Sequence, residues 1–135
     1  MSAEPVRDAA VVVGAAIVRA GRVLAARRTA PIATAGRWEF PGGKVDRGET
    51  DTAALARECR EELGVAVDVG RRIGPDVPMV NGFTLRLYLA TLRDGEEPQA
   101  LEHSELRWLA AAELDSVDWL PADAPLAAVL AQHLG

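Results

Sequence analysis

The sequence has little of several features that mark whole classes of proteins. It has one cysteine, Cys59, so an internal disulfide is excluded, and a lone thiol is typical of the reducing cytoplasm. No uncharged apolar run reaches the length of about eighteen residues that a membrane span needs. Residues 1–8 lack the basic and apolar segments of a secretory signal. We therefore expect a cytoplasmic protein without a membrane partner.

Basic residues are also in deficit, because 15 Lys and Arg stand against 20 Asp and Glu, for a net charge of −5. Proteins that bind nucleic acids usually gain affinity from cationic contacts with phosphates, so this balance argues against a nucleic-acid partner. An acidic protein can still bind a polyphosphate when metal ions bridge its carboxylates to the phosphates. The charge thus favours a metal-assisted site for a small molecule, and it leaves open whether the chain is a monomer or a homodimer.

The pattern of apolar residues predicts a layered α/β domain. The length of 135 residues and a hydrophobic share of 49% predict one domain over residues 1–135. Apolar runs bounded by turn residues predict strands at residues 9–19, 22–27, 38–40, 65–69, 83–92 and 106–109. Loops are expected at residues 29–37 and 44–50, and a helical turn at residues 110–114. Strands before, between and after two helices predict a mixed sheet.

Two helices are predicted, at residues 51–63 and 123–134. The first can be capped by Thr50 or Asp51, and Gly64 stands where a helix commonly ends. Leu55, Cys59 and Leu63 recur every four residues, which predicts its buried stripe. The second helix has an apolar side that we expect to face the core, formed by Leu126, Val129, Leu130 and Leu134.

Three glutamates of the first helix are spaced to lie on one face. Glu58, Glu61 and Glu62 stand at positions i, i+3 and i+4, where like charges destabilise an isolated helix. Hard divalent cations prefer oxygen ligands, and Mg²⁺ typically takes one or two carboxylates together with substrate phosphates. Charges on a helix more often line a solvated face. The glycines, Glu49 and Arg57 at fixed offsets, and a further acidic residue before a predicted strand, favour the metal site.

Residues 43–65 resemble the Nudix box, G-x5-E-x7-R-E-U-x-E-E-x-G-U with U apolar, at every position, with Cys59 at the first U. The resemblance continues in Arg27-Arg28, in residues 36–44 (GRWEFPGGK), in Glu102 six residues before Trp108, and in residues 121–123. It covers about residues 9–133 and is similar to MutT-type pyrophosphohydrolases, above all to the branch that cleaves CTP and dCTP. This resemblance implies a Nudix α/β/α sandwich around a mixed β-sheet.

The resemblance also implies roles at the metal end of a site. The metal, Mg²⁺ with Mn²⁺ as a substitute, would be held by carboxylates and by a backbone carbonyl, from Glu58, Glu61, Glu62, Glu102 and Gly42 or Gly43. Glu58 is the preferred residue to deprotonate or orient the attacking water, and Glu102 is its competitor. Arg57 would assist catalysis mainly by orienting a glutamate, with Glu49 as its structural support.

At the nucleotide end, the resemblance points to Arg28, Phe40, Lys44 and Asp123. Arg28 is expected to contact phosphate or base, or else to be an exposed arginine at a strand end. Lys44 would touch a phosphate, or else be a solvated loop lysine. MutT has an asparagine at the position of Asp123. An ionised aspartate only accepts hydrogen bonds, which suits the N4 amine of cytosine, although this residue could instead cap the C-terminal helix.

The implied function is Mg²⁺-dependent hydrolysis of a nucleoside triphosphate to the monophosphate and pyrophosphate. A preference for CTP, dCTP or 5-methyl-dCTP is expected, in cleansing of the nucleotide pool. Two alternatives stay open: hydrolysis of 8-oxo-dGTP, which prevents mutations, and a non-catalytic Nudix domain that senses nucleotides. The histidines His103 and His133 are predicted to be surface or packing residues, with His103 beside Glu102. Trp108 and Trp119 are expected in the core or at strand ends.

Overall fold

The computed structural model describes residues 10–134, which form a mixed β-sheet with helices on both faces. The strands are β1 (Val11–Arg19), β2 (Arg22–Arg27), β3 (Trp38–Glu39), β4 (Gly42–Lys44), β5 (Val67–Pro78), β6 (Thr84–Leu92) and β7 (Glu105–Leu109). The helices are α1 (Asp51–Leu63) and α2 (Asp123–Leu130), and short 3₁₀ helices cover Ala111–Ser116 and Ala131–His133. The predicted α/β fold with a mixed sheet is confirmed.

The sheet is organised around β1, which pairs with three other strands. Its path runs β3-β2-β1-β6-β5, with β7 joined to β2 and β4 joined to β1. β1 is parallel to β6 and antiparallel to both β2 and β4, while β5 is antiparallel to β6. Gly42 lies opposite Gly14, and Lys44 lies opposite Val12. The segment that precedes α1 is therefore fixed by backbone pairing to the centre of the sheet.

The two helices cover opposite faces of this sheet because side chains along a strand alternate in direction. Val13, Ala15 and Ile17 of β1 pack in the cluster that contains α1, and Ala16 packs in the cluster that contains α2. All four residues are fully buried. Strands covered on both faces have nearly continuous apolar sequences, which is what the VVVGAAIV run of β1 shows.

Helix α1 begins and ends where its sequence predicts. The Thr50 hydroxyl accepts a hydrogen bond from the Ala53 N–H at 3.1 Å, a cap that stabilises a helix by about 1 kcal/mol. Gly64 ends the helix in the left-handed conformation, with φ of 69°. Leu55, Cys59 and Leu63 are fully buried, so the predicted stripe is confirmed. The opposite side of the helix is left to charged residues.

Several element boundaries differ from the predictions. β5 is longer than the predicted residues 65–69, because pairing with β6 continues through two register shifts up to Pro78. Residues 42–44, predicted as a turn and a loop, form β4 because β1 supplies hydrogen-bond partners. The predicted strand at residues 38–40 ends at Glu39, and α2 ends at Leu130 before a 3₁₀ turn. Ala9, the predicted start of the first strand, lies outside the described residues.

Within residues 10–134, none of the helices combines the length and the apolar character that crossing a membrane requires.

Candidate active site

The site is built where β4 lies against α1. A Cβ atom at Gly42 would collide with the Val13 carbonyl oxygen, and a Cβ atom at Gly43 would overlap the Glu58 carboxylate. Only glycine lets the backbone approach both the neighbouring strand and the helix this closely. The two glycines thus bring backbone carbonyl and amide groups next to the glutamates of α1.

Glu62 is the most buried of these glutamates. It is 9% exposed, and its Oε1 accepts a hydrogen bond from the Gly42 N–H at 3.3 Å. Burial raises its pKa to about 8, and the negative charges of Glu39, Glu58 and Glu102 add to this shift. The hydrogen bond from Gly42 acts in the opposite direction and lowers the pKa. Burial also raises the pKa of Glu58. A carboxylate that is buried among other carboxylates is destabilised when ionised unless a cation is close.

Arg57 links the charged face of α1 to the loop that precedes the helix. Its Nε and Nη2 donate to the two carboxylate oxygens of Glu49 at 2.8 and 2.9 Å, so the expected pair is present with bidentate geometry. Nη2 also donates to the Lys44 carbonyl at 3.1 Å, and Nη1 donates to Glu58 at 3.0 Å. The guanidinium lowers the pKa of Glu49 to about 2, and the same carboxylate raises the pKa of Arg57. Arg57 therefore ties the β4–α1 loop to Glu58.

The donor atoms at this place fit a hard divalent cation. In the part of the chain that the structure describes, no three His, Cys, Asp or Glu side chains form a ready-made metal-binding group. Instead, the Arg57 guanidinium lies 3.0 Å from Glu58 and 3.5 Å from Glu61. Oxygen ligands are nevertheless concentrated here, as carboxylates and glycine carbonyls, and burial together with the charge of neighbouring carboxylates raises the pKa of Glu62. A divalent ion bound here would compensate this negative charge.

A cavity of about 610 Å³ extends from the glycines to the start of α2. Its wall includes seven of the predicted site residues: Arg28, Phe40, Gly42, Gly43, Lys44, Glu62 and Asp123. The other predicted residues do not line it: Glu49, Arg57, Glu58, Glu61 and Glu102. Glu62 thus connects the carboxylate face of α1 to the cavity, and Lys44 adds a cation that lies 4.9 Å from the centre of the Phe83 ring.

Asp123, the first residue of α2, also lines the cavity and is 4% exposed. Its Oδ2 accepts a hydrogen bond from the Phe40 N–H at 3.0 Å, and burial raises its pKa to about 7. Near neutral pH the side chain is therefore divided between the ionised form, which only accepts hydrogen bonds, and the protonated form, which also donates. Asp123 does not cap α2, since Ala122 is the N-cap and no side chain caps that helix.

The neighbouring aromatic residues are mostly buried. The Phe40 ring stacks on Trp119 with ring centres 4.7 Å apart, and both residues belong to the core on the α2 side. Trp108 is half-buried beneath the Arg19 guanidinium, which lies 4.3 Å from the ring centre. The expectation of core or strand-end positions for Trp108 and Trp119 is confirmed.

Two residues at the cavity carry more interactions than the sequence predicted. Glu39 lines the cavity, accepts a hydrogen bond from Arg28 at 2.8 Å and contacts His103 Nε2 at 3.0 Å. Glu39 was missed because it alternates with two buried aromatics, a pattern typical of a solvent-facing strand residue. Its place within the GRWEFPGGK segment was the available signal. His103 is buried and His133 is exposed, which agrees with the prediction of packing or surface positions for the two histidines.

Comparison with known proteins identifies the family. Residues 8–132 match the NUDIX domain, so the chain belongs to the Nudix family. It is 52% identical over 127 residues to a Mycobacterium tuberculosis protein provisionally named 8-oxo-dGTP diphosphatase 2, covering 92% of this chain and 89% of that protein. It is 40% identical over 116 residues to the CTP pyrophosphohydrolase of Escherichia coli, covering 85% and 86% of the two chains.

A solved structure agrees with this assignment. The solution structure of the E. coli ORF135 protein is 39% identical, with a TM-score of 0.76 over 89% of this chain and 86% of that one. The chain is accordingly a Nudix hydrolase that acts on phosphoric anhydride bonds of nucleotides. Nudix hydrolases generally use divalent metal ions, which agrees with the oxygen ligands gathered beside Gly42 and Gly43.

Proposed function

We propose that this Nudix hydrolase converts a nucleoside triphosphate to the monophosphate and pyrophosphate, with Mg²⁺ as the metal and Mn²⁺ as a substitute. One observation carries the proposal: Glu62, on the carboxylate-bearing helix, and Asp123, at the start of α2, line the same cavity. The carboxylate end suits the metal-bound phosphates, and the Asp123 end suits the base. The volume of about 610 Å³ lies within the range of about 300–1,000 Å³ that is typical of small-molecule sites.

The base end supports two substrate classes. With a pKa of about 7, Asp123 can present one donor and one acceptor when protonated, and acceptors alone when ionised. Cytosine has an acceptor at N3 next to the N4 amine, while 8-oxoguanine has an acceptor at O6 next to the N7–H. Both edges match a protonated Asp123, and ionised Asp123 also accepts from the cytosine amine.

We propose CTP, dCTP or 5-methyl-dCTP as the preferred substrate, since the N4 amine of cytosine can donate to Asp123 in either protonation state. The similarity to the CTP pyrophosphohydrolase of E. coli supports this choice. Hydrolysis of 8-oxo-dGTP is the second candidate, and the similarity to the M. tuberculosis protein supports it about equally well. Either substrate places the enzyme in sanitation of the nucleotide pool.

At the phosphate end, each residue has a separate task. Glu58, Glu61, Glu62, Glu102 and a carbonyl of Gly42 or Gly43 would hold the divalent metal. When bound, the metal neutralises charge on phosphoryl oxygens and lowers the pKa of water. Lys44 and Arg28 add positive charge along the cavity wall. Arg57, supported by Glu49, keeps the Glu58 carboxylate in place through the contact at 3.0 Å.

The chemical step is attack of water on the β phosphorus. Glu58 accepts the proton of that water, with Glu102 as the competing base. The bond from the β phosphorus to the α–β bridging oxygen breaks, so the monophosphate leaves with that oxygen and pyrophosphate carries the oxygen of the water. Hydrolysis in ¹⁸O-labelled water should therefore label pyrophosphate and not the monophosphate.

The decisive experiment is a substrate panel with the purified chain. Release of pyrophosphate from CTP, dCTP, 5-methyl-dCTP, 8-oxo-dGTP and dGTP is measured with Mg²⁺, with Mn²⁺ and with EDTA, and substrates are ranked by kcat/KM. We expect metal-dependent turnover with cytidine nucleotides first. Binding of nucleotides without release of pyrophosphate would instead identify a non-catalytic, nucleotide-sensing domain. Comparison of Glu58→Gln with Glu102→Gln then separates the two candidate bases, because the larger loss of kcat marks the base.

We further propose that residues 1–135 form a single Nudix domain that works in the cytoplasm on small-molecule nucleotides, without a nucleic-acid or membrane partner. Light scattering coupled to size-exclusion chromatography distinguishes the monomer from the homodimer that the sequence left open.

A further inference from the structure

His103 is buried beside the cavity, although the proposed chemical step does not use it. Its side chain is 4% exposed, and its Nε2 lies 3.0 Å from Glu39 Oε2. A carboxylate only accepts, so the hydrogen of this bond is on Nε2. The Nδ1 atom is buried and has no hydrogen-bond partner among residues 10–134. His103 therefore donates one hydrogen bond, and its acceptor is Glu39 of the cavity wall.

Glu39 is held from two separate segments of the chain. Its Oε1 accepts from Arg28 Nη1 at 2.8 Å, while its Oε2 faces His103. Arg28 follows β2 and is itself fixed, because its Nε donates to the Thr34 hydroxyl at 3.1 Å and its Nη2 donates to the Ala30 carbonyl at 2.9 Å. Two donors on different oxygens leave the carboxylate one orientation in which both hydrogen bonds are made.

The segment that carries His103 is hydrogen-bonded to the last residue of β2, directly before Arg28. The Ser104 N–H donates to the Arg27 carbonyl at 3.0 Å, immediately before β7 pairs with β2. β2 also pairs with β3, where Ala26 lies opposite Glu39. The three side chains therefore occupy fixed places on adjacent strands and their extensions.

The charge of Glu39 acts on two other carboxyl groups of the cavity wall. Burial is the main cause of the raised pKa values of Glu62 and Asp123, and the negative charge of Glu39 adds to both shifts. The Glu39 side chain is only 15% exposed and lines the same cavity as these two residues. A rotation of the Glu39 carboxylate would change the acceptors and the charge that a bound nucleotide meets.

We propose that His103 is a positioning residue for nucleotide hydrolysis, which fixes the Glu39 carboxylate against Arg28 and so sets how tightly the cavity binds the nucleotide. This inference rests on the proposed function, because it requires the cavity to be the nucleotide site. Without the Nε2–H donor, the buried Oε2 of Glu39 loses its hydrogen bond. The carboxylate then turns towards Arg28, which is the remaining donor within reach.

The test compares three histidine variants in the full chain. His103→Leu removes the donor and keeps the bulk, His103→Gln restores an N–H at a similar distance from the backbone, and His133→Leu is the control at the exposed histidine. Because one hydrogen bond to a charged group is lost, we expect His103→Leu to raise KM by about tenfold. Its kcat should stay within about threefold, because the loss falls on substrate binding rather than on the chemical step. His103→Gln and His133→Leu should stay close to the unsubstituted enzyme.

The dependence on Glu39 is tested with a double-mutant cycle. If His103 acts through Glu39, then His103→Leu adds less than about a twofold increase of KM in the Glu39→Gln background. A full tenfold increase in that background would overturn the inference. An unchanged KM in His103→Leu, with only a lower melting temperature, would show a merely structural histidine and would also overturn it.

A spectroscopic measurement tests the same hydrogen bond without turnover. Two-dimensional NMR of ¹⁵N-histidine-labelled protein without metal should show the Nε2–H tautomer for His103, with a shift of that signal in Glu39→Gln. The Nδ1–H tautomer would overturn the inference. If the protein hydrolyses no nucleotide, the proposed function fails. If the unsubstituted protein hydrolyses nucleotides and His103→Leu has the same KM, only the inference about His103 fails.

Discussion

The carboxylate of Asp123 accepts a hydrogen bond from the backbone N–H of Phe40 across 3.0 Å. This contact joins the first residue of α2 to the segment between β3 and β4, two residues before Gly42. Asp123 and Glu62 of the cavity wall are therefore both hydrogen-bonded to one short stretch of backbone, from Phe40 to Gly42. The contact also explains why Asp123 is buried although it is ionisable: its carboxylate retains one hydrogen-bond partner inside the protein.

The raised pKa of Asp123 should appear in the pH dependence of stability. The carboxyl titrates near 3.8 in the unfolded chain and near 7 in the folded protein. Between these values the folded protein keeps a proton that the unfolded chain has released, so stability falls as the pH rises through this window. Asp123→Asn does not titrate, and its free energy of unfolding should fall less from about pH 4 to about pH 7, by at most about 4 kcal/mol. Urea unfolding followed by tryptophan fluorescence measures both slopes, and parallel slopes would contradict the burial argument.

The ionised Glu62 carboxylate should destabilise the folded protein when no metal is bound. Its pKa rises from 4.5 to about 8, so ionisation is disfavoured in the folded state and stability falls as the pH rises between these values. In EDTA at about pH 8, Glu62→Gln should be more stable than the unsubstituted protein, and its kcat should be at least about a hundredfold lower with metal.

The matched control for this substitution is Glu61→Gln on the same helix, where the side chain is 52% exposed. It makes the same change of charge with little burial, so its metal-free stability should barely change. Addition of Mg²⁺ should raise the melting temperature of the unsubstituted protein and have a smaller effect on Glu62→Gln. An equal rise of the melting temperature in the unsubstituted protein and in Glu62→Gln would argue against Glu62 as a metal ligand.

Arg57 should not be replaceable by lysine. Its Nε and Nη2 bind both oxygens of Glu49 while Nη1 contacts Glu58, and a lysine ammonium cannot reproduce this fork. Arg57→Lys should lower kcat/KM and metal affinity by about ten- to a hundredfold, as expected for a residue that orients a metal ligand. Arg60→Lys, at an exposed position of the same helix, is the control and should behave as the unsubstituted enzyme. Steady-state kinetics with a metal titration tests both; equal activity of the two variants would remove Arg57 from the site.

Cys59 should be inert in the folded protein. It is fully buried in the stripe of α1 that packs on the sheet, and burial raises its thiol pKa to about 12. The thiolate is the reactive form, so both access and ionisation are suppressed. A thiol reagent should label the protein only as fast as it unfolds, with full labelling in denaturant. Rapid labelling under native conditions would contradict the packing of α1.

Much of the site could be predicted because its parts are local in sequence. The spacing of Glu58 and Glu62 and the caps at Thr50 and Gly64 specify a helix with a carboxylate face through backbone periodicity alone. Gly42 and Gly43 are separated from this helix by only one short loop, so their approach to it follows from short-range geometry. The roles of the individual glutamates in metal binding and proton transfer stay predictions.

Other features depend on residues that are far apart in the chain. His103 and Glu39 are 64 positions apart, and Asp123 and Phe40 are 83 positions apart. Such pairs follow from the strand order, which no local pattern specifies. The reach of β5 to Pro78 was missed for the same reason, because an exposed stretch with glycine and proline is held in the sheet only by its pairing with β6.

The sequence by itself determined the Nudix box, the helix that carries its glutamates and the α/β class, because hydrophobic periodicity and capping act over a few residues. Only the tertiary structure decided that the pKa of Asp123 is raised towards neutral pH and that His103 faces Glu39. Both depend on how completely water is removed from a side chain and on which groups replace it, and these conditions arise when distant segments pack together.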